Sequence, residues 1–346
     1  MRTPWQRNKT ANRLCAPRAE LRGISRIKFE KKPYQFIFDI LSNYSKYTIF
    51  LQHMSTFEKT YNTFSTGINL FFQSFISILK IAIRFRINKK LPKPLKDSCA
   101  ILGNGPSLND SLKNHLDFIK KCDILCVNNF GASEYFQILK PNDYVLFDGY
   151  YFLFDNEKYA REDVKLTFET FKTIDWPINM YIPAKARNSY LVNTIFKKNS
   201  CISICYFNHI VVEGYNWFKY PLYKYGMGMP QCQNVLGLSI FLSINRGYKD
   251  INLFGADHSW HEQFTLSENN RIEMAQDHFY DKTKIKPVPF NTFLKSHVTV
   301  ADFFLSLYKV FKGYNIINEY ANYRNTKVYN ASHKSFIDAF ERRKIE

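Results

Sequence analysis

The sequence predicts an α/β fold with a doubly wound, mostly parallel sheet, and two observations support this class. From residue 96 onward, short apolar runs alternate with helical segments, which is the pattern of repeated strand–helix units. The first apolar run, residues 99–102, breaks into Gly-Asn-Gly-Pro and then restarts as a helical segment. A buried strand, a tight turn and a helix start produce such a pattern. We therefore expect a Rossmann-like nucleotide-binding domain over residues 96–346.

The later elements follow from the same alternation. Gly247 comes directly after a buried-looking helix and suits its left-handed C′ position. The aromatic, glycine-bearing segment at about 207–232 is predicted to be a mobile substrate lid. Further strands are predicted at residues 122–127, 144–148, 180–183, 202–206, 251–254 and 314–318, and helices at 234–245 and 298–311.

The turn after the first strand predicts a nucleotide site. Gly103 and Gly105 let the backbone approach a ligand closely, and the free N–H groups around Ser107 form a natural seat for phosphate. Asn128 follows the second strand and Asp148 follows the third, at the edge where open α/β sheets bind ligands. A Gly-x-Gly alone fits a plain tight turn equally well.

Length, charge and composition bound the function. The 346 residues, 45% of them hydrophobic, fit one catalytic domain with an extension. The net charge of +18 suits nucleic acid, an anionic membrane or an anionic substrate. The chain carries no zinc-finger or RNA-recognition signature, so no nucleic-acid partner is expected. A membrane surface or an anionic substrate is the preferred interpretation.

The seven cysteines form no Cys-x-x-Cys pair, which is typical of reduced thiols in a cytosolic protein. Cys122 with Cys126 and Cys201 with Cys205 imitate the spacing of metal ligands. Because both pairs fall in or beside predicted strands, we expect them to fill the core.

Residues 1–33 are rich in arginine, are expected to be disordered, and precede a helical region over residues 34–95. The most apolar stretch, residues 68–83, is interrupted by polar residues and followed by four basic ones. A spanning helix needs about 20 apolar residues. An amphipathic helix lying in the plane of an anionic membrane therefore fits better, and a helix packed on the catalytic core is the alternative.

Several stretches together resemble a known group. Residues 101–108, Ile-Leu-Gly-Asn-Gly-Pro-Ser-Leu, resemble the nucleotide-binding opening of bacterial sialyltransferases of glycosyltransferase family 42. Residues 126–130 and 147–152 resemble two further donor-proximal stretches, and residues 246–257 resemble the family's Gly-Tyr-Lys–strand–Gly-x-Asp block. The opening and the block also occur in the related Maf-type and MptE-like proteins.

The resemblance implies roles for individual residues. His297 stands five residues before Asp302, the spacing of the family's catalytic base and a following Asp. His258 stands where the family places a phosphate-holding Tyr, and it is the second catalytic candidate. Trp260 and Tyr280 are candidates for contact with the leaving group. The residues expected to bind the donor nucleotide are Gly103, Asn104, Gly105, Ser107, Asn128 and Asp148.

The same resemblance implies that the chain is an inverting, metal-independent glycosyltransferase without a cofactor. It would transfer a sugar from a nucleotide donor, expected to be CMP-linked, to a cell-surface glycan such as lipopolysaccharide or capsule. The expected partners are that donor, a glycan or glycolipid acceptor and an anionic membrane surface, with a homo-oligomer left open. The expected location is cytoplasmic, at the inner face of the bacterial membrane.

Two alternatives stay open. One is an MptE-like diphosphotransferase that uses Mg-ATP, and the other is a non-catalytic nucleotide-binding relative. His258 and His261 could also ligate a divalent metal, although no His-Glu-x-x-His helix signature surrounds them.

Overall fold

The computed structural model describes residues 33–153, 162–275, 278–280, 286–290 and 297–345, with side chains from residue 58 onward. The chain separates into two compact units, Met1–Ser65 and Thr66–Glu346. The predicted boundary at residues 95–96 lies inside the second unit. Residues 1–32 of the predicted basic arm lie outside the described residues.

Helices and short strands alternate along most of the described chain. They are α1 Pro33–Arg84, β1 Ser98–Leu102, α2 Leu108–Asn114, α3 Leu116–Lys121, β2 Asp123–Val127, α4 Tyr135–Leu139, β3 Asp143–Val145, α5 Glu162–Lys172, β4 Ile178–Pro183, α6 Tyr190–Thr194, β5 Ile202–Phe207, α7 Asn216–Lys224, α8 Val235–Arg246, β6 Asp250–Phe254, β7 Phe264–Leu266, β8 Ile272–Met274, β9 Val288–Pro289, α9 Val300–Tyr323, β10 Lys327–Asn330 and β11 Glu341–Arg342.

The second unit is built on one parallel sheet with the strand order β11–β10–β6–β1–β2–β3–β4–β5. Every pairing in it is parallel, and helices flank it, so the predicted α/β, Rossmann-like class is confirmed. The chain runs outward from β1 to β5 and then returns to place β6 on the other side of β1. This reversal makes the β1/β6 junction the switch point of the sheet.

The central strands are buried on both faces, which explains their continuous apolar runs. In β1, Cys99 and Ile101 belong to the hydrophobic core on one face of the sheet. Ala100 and Leu102, between and after them, belong to the core on the other face. A strand with this alternation needs a helical layer on each side, and the crossover helices supply both layers.

The predicted strand at residues 314–318 is wrong, because this stretch lies inside α9. The β-branched residues there favour a strand locally. Buried positions nevertheless recur every three or four residues along α9, so helical packing against the sheet prevails. The buried residues are Phe303, Leu307, Val310, Gly313, Tyr314, Ile317, Tyr320 and Ala321.

The predicted lid at 207–232 contains α7 and packs as part of the main core. Tyr223 and Met229 are almost fully buried there. An isolated parallel bridge joins Val211 to Met229 and closes the segment on itself. His209 is the residue of this segment that reaches the cleft described below.

A buried polar network fixes the amino-terminal edge of the sheet. Arg246 Nη1 lies 2.5 Å from Asp143 Oδ2, and both side chains are almost inaccessible to solvent. Tyr248 donates to Asp123 Oδ2 at 2.8 Å. The backbone N–H of Leu95 donates to the same oxygen, so the segment that leads into β1 is tied to the start of β2.

Candidate functional site: a cleft at the switch point of the sheet

The glycine turn after β1 packs directly on the backbone that leaves β6. Gly103 N–H donates to Phe254 O at 2.8 Å, and Gly105 N–H donates to Gly255 O at 2.9 Å. A Cβ on Gly103 would lie 2.5 Å from Gly255 O, and one on Gly105 would lie 2.7 Å from the same oxygen. Gly255 itself has φ +62, which favours glycine. Close backbone approach therefore explains all three glycines.

The phosphate seat predicted at the start of α2 is filled by the protein's own carboxylate. Asp257 Oδ2 accepts from the backbone N–H of Ser107 at 3.0 Å, and Oδ1 accepts from its hydroxyl. Burial raises the pKa of the Asp257 carboxyl, while the two Ser107 hydrogen bonds act in the opposite direction. Ser107 is buried and is not among the residues that line the cleft, and its two hydrogen bonds to Asp257 join the end of β1 to the end of β6.

A cleft of about 660 Å³ opens at the carboxyl ends of the strands, beside this turn. Six of the residues predicted from the sequence line it, and they come from the ends of β1, β2, β3 and β6. They are Asn104, Gly105, Asn128, Asp148, His258 and Trp260. The remaining predicted site residues, Gly103, Ser107, Tyr280 and His297, are not among its lining residues.

Asn104 lines the cleft and carries a buried acceptor that no described residue satisfies. Its Nδ2 donates to Val127 O at 3.2 Å, which fixes the orientation of the amide. Its Oδ1 is buried and has no hydrogen-bond partner within the described chain. A buried carbonyl oxygen without a donor costs about 1–3 kcal/mol, so this atom is suited to receive a donor from a ligand.

Asn128 and Asp148 shape the next two strand ends. Asn128 has φ +45, a conformation that asparagine tolerates, and its Oδ1 accepts from Phe147 N–H at 3.3 Å. Asp148 caps a short 3₁₀ turn, because its Oδ1 accepts from Tyr150 N–H at 3.0 Å. Both side chains therefore hold the rim in place while lining the cleft.

His258 is held at the end of β6 by a tyrosine and an asparagine. Its Nε2 lies 2.6 Å from Tyr314 Oη in α9 and 3.4 Å from Nδ2 of Asn234. Tyr314 in turn donates to Asn234 Oδ1 at 3.1 Å, and that oxygen also caps α8 by accepting from Gly237 N–H. Burial lowers the pKa of His258 to about 3, so the imidazole is neutral at physiological pH.

His297 is exposed and lies just before α9. The helix is capped by Thr299, whose hydroxyl accepts from Asp302 N–H at 3.1 Å, and the Asp302 carboxylate accepts from Thr299 in return. Asp302 therefore completes a capping box with Thr299. Tyr280 packs against the core, and its ring stacks on His278, which does line the cleft.

Among the cleft residues that sequence reasoning missed are Lys185, His209, Gln233 and Asn234. Lys185 follows β4 by two residues, so the strand-end rule that found Asp148 could also have found it. Desolvation, and secondly the charge of Lys185, lower the pKa of His209 to about 4. Asn234 and Gln233 immediately precede α8, and their position in the cleft depends on the tertiary packing of that helix.

The described residues contain no group of three or more His, Cys, Asp or Glu side chains placed to hold a metal ion. Two carboxylates line the described part of the cleft, and one of them, Asp257, is engaged by Ser107. The other, Asp148, accepts a single backbone N–H, that of Tyr150, at Oδ1 and can still accept from a ligand.

No protein-family model matches the chain, and no curated protein matches it either. Among solved structures, the chain is similar to a Maf glycosyltransferase from Magnetospirillum magneticum AMB-1, with 12% sequence identity and a TM-score of 0.41. The match covers 75% of this chain and 35% of that chain, so this chain spans about a third of that protein's length.

Proposed function

We propose that the protein is a glycosyltransferase that binds a nucleotide-activated sugar in this cleft and transfers the sugar to an acceptor hydroxyl. The observation that carries the proposal is the glycine turn of β1, packed on the backbone of Gly255 and opening into a cleft at the switch point. Open α/β sheets bind nucleotides at this place. The resemblance of residues 126–130 and 147–152 to donor-proximal stretches of family 42 sialyltransferases favours a CMP-linked, sialic-acid-like donor, whereas residues 101–108 and 246–257 are also similar to the Maf-type and MptE-like proteins.

The nucleoside would lie against the ends of β1, β2 and β3. The unsatisfied Oδ1 of Asn104 suits a base amino group or a ribose hydroxyl. Asp148 suits a ribose hydroxyl, because a carboxylate accepts hydrogen bonds at both oxygens. This assignment needs no metal at the nucleoside end, in keeping with a metal-independent transfer.

The phosphate would lie between α8 and β4. Val235 and Leu236, the first residues of α8, line the cleft, and no described residue accepts a hydrogen bond from their backbone N–H groups. A helix N-terminus and a nearby cation both stabilise an anion, and Lys185 supplies the cation. Such groups would also stabilise the phosphate as it departs, which is a main requirement of sugar transfer.

An acceptor hydroxyl needs a base within hydrogen-bond reach. His209 and His258 are weak proton acceptors, because their pKa values are lowered to about 4 and about 3. His297, the candidate from the resemblance, and His278, which lines the cleft, are the two imidazoles that we propose to compare. The transfer rates of His278→Asn and His297→Asn, measured on the same donor, identify the base.

The first experiment is a thermal-shift panel of CMP, cytidine, CDP, UDP, GDP and ATP, each with and without EDTA. A ligand at a hundredfold excess over its Kd stabilises the folded state by about 2.7 kcal/mol. We expect CMP to raise the melting temperature equally with and without EDTA. Stabilisation by ATP that requires magnesium would replace the proposal with an Mg-ATP phosphotransferase, because that chemistry relies on the metal to bridge phosphates.

A matched pair of variants tests the phosphate assignment. We expect Lys185→Gln to weaken CMP binding by about tenfold or more and to leave cytidine binding unchanged, since a lost charged hydrogen bond is worth about 1.5–3 kcal/mol. Lys198→Gln, at a lysine outside the cleft, is the control. Equal CMP affinity for both variants would contradict this placement of the phosphate.

A further inference from the structure

The helix α1 presents an apolar face to solvent where it passes through the second unit. By length and composition its segment Glu58–Arg84 is apolar enough to cross a membrane, yet only 6% of its most apolar window is buried. Contiguous exposed apolar surface of this kind marks a contact with lipid or protein. The side chains that form the face are between 47 and 81% exposed, and they are Phe71, Phe72, Phe75, Ile76, Ile78, Leu79 and Ile83.

The inward side of the same helix is mostly polar, although Ile81 packs against the main hydrophobic core. Ser77 is fully buried, and its hydroxyl donates to Glu213 O at 3.1 Å and accepts from Glu213 N–H at 2.9 Å. Ser74 accepts from Tyr215 N–H, and the Tyr215 hydroxyl donates to Gly67 O at 2.8 Å. A helix on the surface of a water-soluble protein has the reverse arrangement, with apolar residues inward. The environment that suits this helix is therefore apolar on its outer side.

The contacts with the protein also fix how the helix can meet a bilayer. They run from Gly67 to Lys80, whose Nζ donates to Val211 O at 3.4 Å. This is about 20 Å of helix at 1.5 Å per residue. If the helix crossed the bilayer, the polar backbone of residues 211–215 would be drawn into hydrocarbon, where unsatisfied groups are costly. The helix can instead lie flat, with the domain on its polar side.

The charge beside this face is complementary to anionic lipid. Arg84, Arg86, Lys89 and Lys90 end or follow the apolar segment, and all four are exposed. No carboxylate in the described part of the chain forms a salt bridge with any of them. Basic residues at the end of an interfacial helix each contribute about 1 kcal/mol of attraction to an anionic surface.

We propose that the outer face of residues 68–87 docks in the plane of an anionic lipid bilayer. The apolar side chains enter the headgroup–acyl boundary, and the four basic residues contact lipid phosphates. The backbone N–H of Arg86 donates to Asn208 Oδ1 at 3.1 Å. His209, the residue that follows Asn208, lines the cleft. Docking therefore holds the cleft beside the bilayer, within reach of an acceptor carried on a lipid. The docking does not depend on which donor the cleft binds.

The test is co-sedimentation of the full chain with phosphatidylcholine vesicles that do or do not contain about 30% phosphatidylglycerol. We expect binding to the anionic vesicles only, with part of it lost in high salt. We expect a Phe71→Ser, Phe75→Ser, Leu79→Ser variant to bind roughly a hundredfold more weakly, because three large apolar side chains no longer enter the membrane.

The control variant carries the same number of apolar-to-serine changes at exposed positions on other helices, Leu166, Leu305 and Tyr308. It should bind vesicles as the unmodified chain does. Circular dichroism verifies that both variants fold. Three results would overturn the proposal: no binding to anionic vesicles, equal binding by the two variants, or a dimer in solution that only the α1 variant dissociates. The dimer would assign the face to a second copy of the chain.

A carbonate wash separates the two membrane geometries. A helix that lies in the interface is released by alkaline carbonate, whereas a spanning helix stays with the lipid. Release is the expected result, and retention in the pellet would overturn the in-plane orientation.

Discussion

Replacing His258 with asparagine tests whether a buried, neutral imidazole forms part of the cleft wall. His258 has φ +53, and asparagine is among the few residues that adopt this conformation readily. The variant therefore keeps the backbone of the strand end. It removes the group that titrates, and it retains an amide that can hydrogen-bond to Tyr314.

The magnitude follows from the difference between the folded and unfolded pKa values. Burial lowers the pKa of His258 to about 3, against a reference value of 6.5. Below pH 6.5 the unfolded chain takes up a proton that the folded chain refuses, so acid favours unfolding. Each pH unit between those pKa values costs about 1.4 kcal/mol, which amounts to about 2 kcal/mol at about pH 5.

The assay is urea denaturation of both proteins at about pH 7 and at about pH 5. The free energy of unfolding of the unmodified chain should fall by about 2 kcal/mol more than that of His258→Asn, since the other histidines are common to both. An identical fall in the two proteins would refute the assignment of a buried, neutral His258. In that case the imidazole would be accessible to solvent, and the argument that a lowered pKa makes His258 a weak base would no longer hold.

The remaining predictions concern the turn and the amino-terminal edge of the sheet. Gly105→Ala should abolish the CMP-induced thermal shift, because its Cβ would lie 2.7 Å from a backbone oxygen. Gly67→Ala, in α1 and outside the cleft, should preserve the shift, because its Cβ would meet only Tyr215 Oη at 3.9 Å. Arg246→Met should destabilise the chain by about 3–5 kcal/mol in urea denaturation, because Asp143 is left buried and unpaired. Lys249→Met, which breaks an exposed ion pair, should change stability little, and an equal effect of the two variants would contradict the role of burial.

The parts of the fold that the sequence predicts correctly are those encoded by local pattern. The continuous apolar run of β1 is followed by glycines that meet another backbone, and both features are visible in the sequence. Gly247 ends α8 with φ +99, as its position after the helix predicts. The strand predicted at residues 314–318 is wrong because the local preference for a strand is weaker than the packing of α9.

The site is less accessible to sequence reasoning, because its chemistry depends on contacts between distant residues. Asp257 fills the predicted phosphate seat at Ser107 from 150 positions away, and no local pattern reports that contact. The neutral state of His258 likewise follows from its burial against Tyr314 of α9, 56 residues further along the chain. Lys185 is different, because it follows the carboxyl end of a strand just as Asp148 does. The rule that ligands bind at these strand ends could therefore have predicted it from the sequence.

The block at residues 246–257 also shows why shared motifs can indicate a fold more firmly than an activity. Arg246 and Tyr248 bind Asp143 and Asp123 at the amino-terminal edge of the sheet, far along the strands from the cleft. Asp257 binds the turn that contains Ser107 and so holds two strand ends together. These contacts stabilise the sheet, and they would do so equally in a protein that transfers sugar, transfers phosphate or only binds a nucleotide. The cleft residues outside the block, above all Lys185 after β4 and Asn104 after β1, must therefore distinguish those activities. Comparing the binding of CMP with that of cytidine tests the role of Lys185 directly.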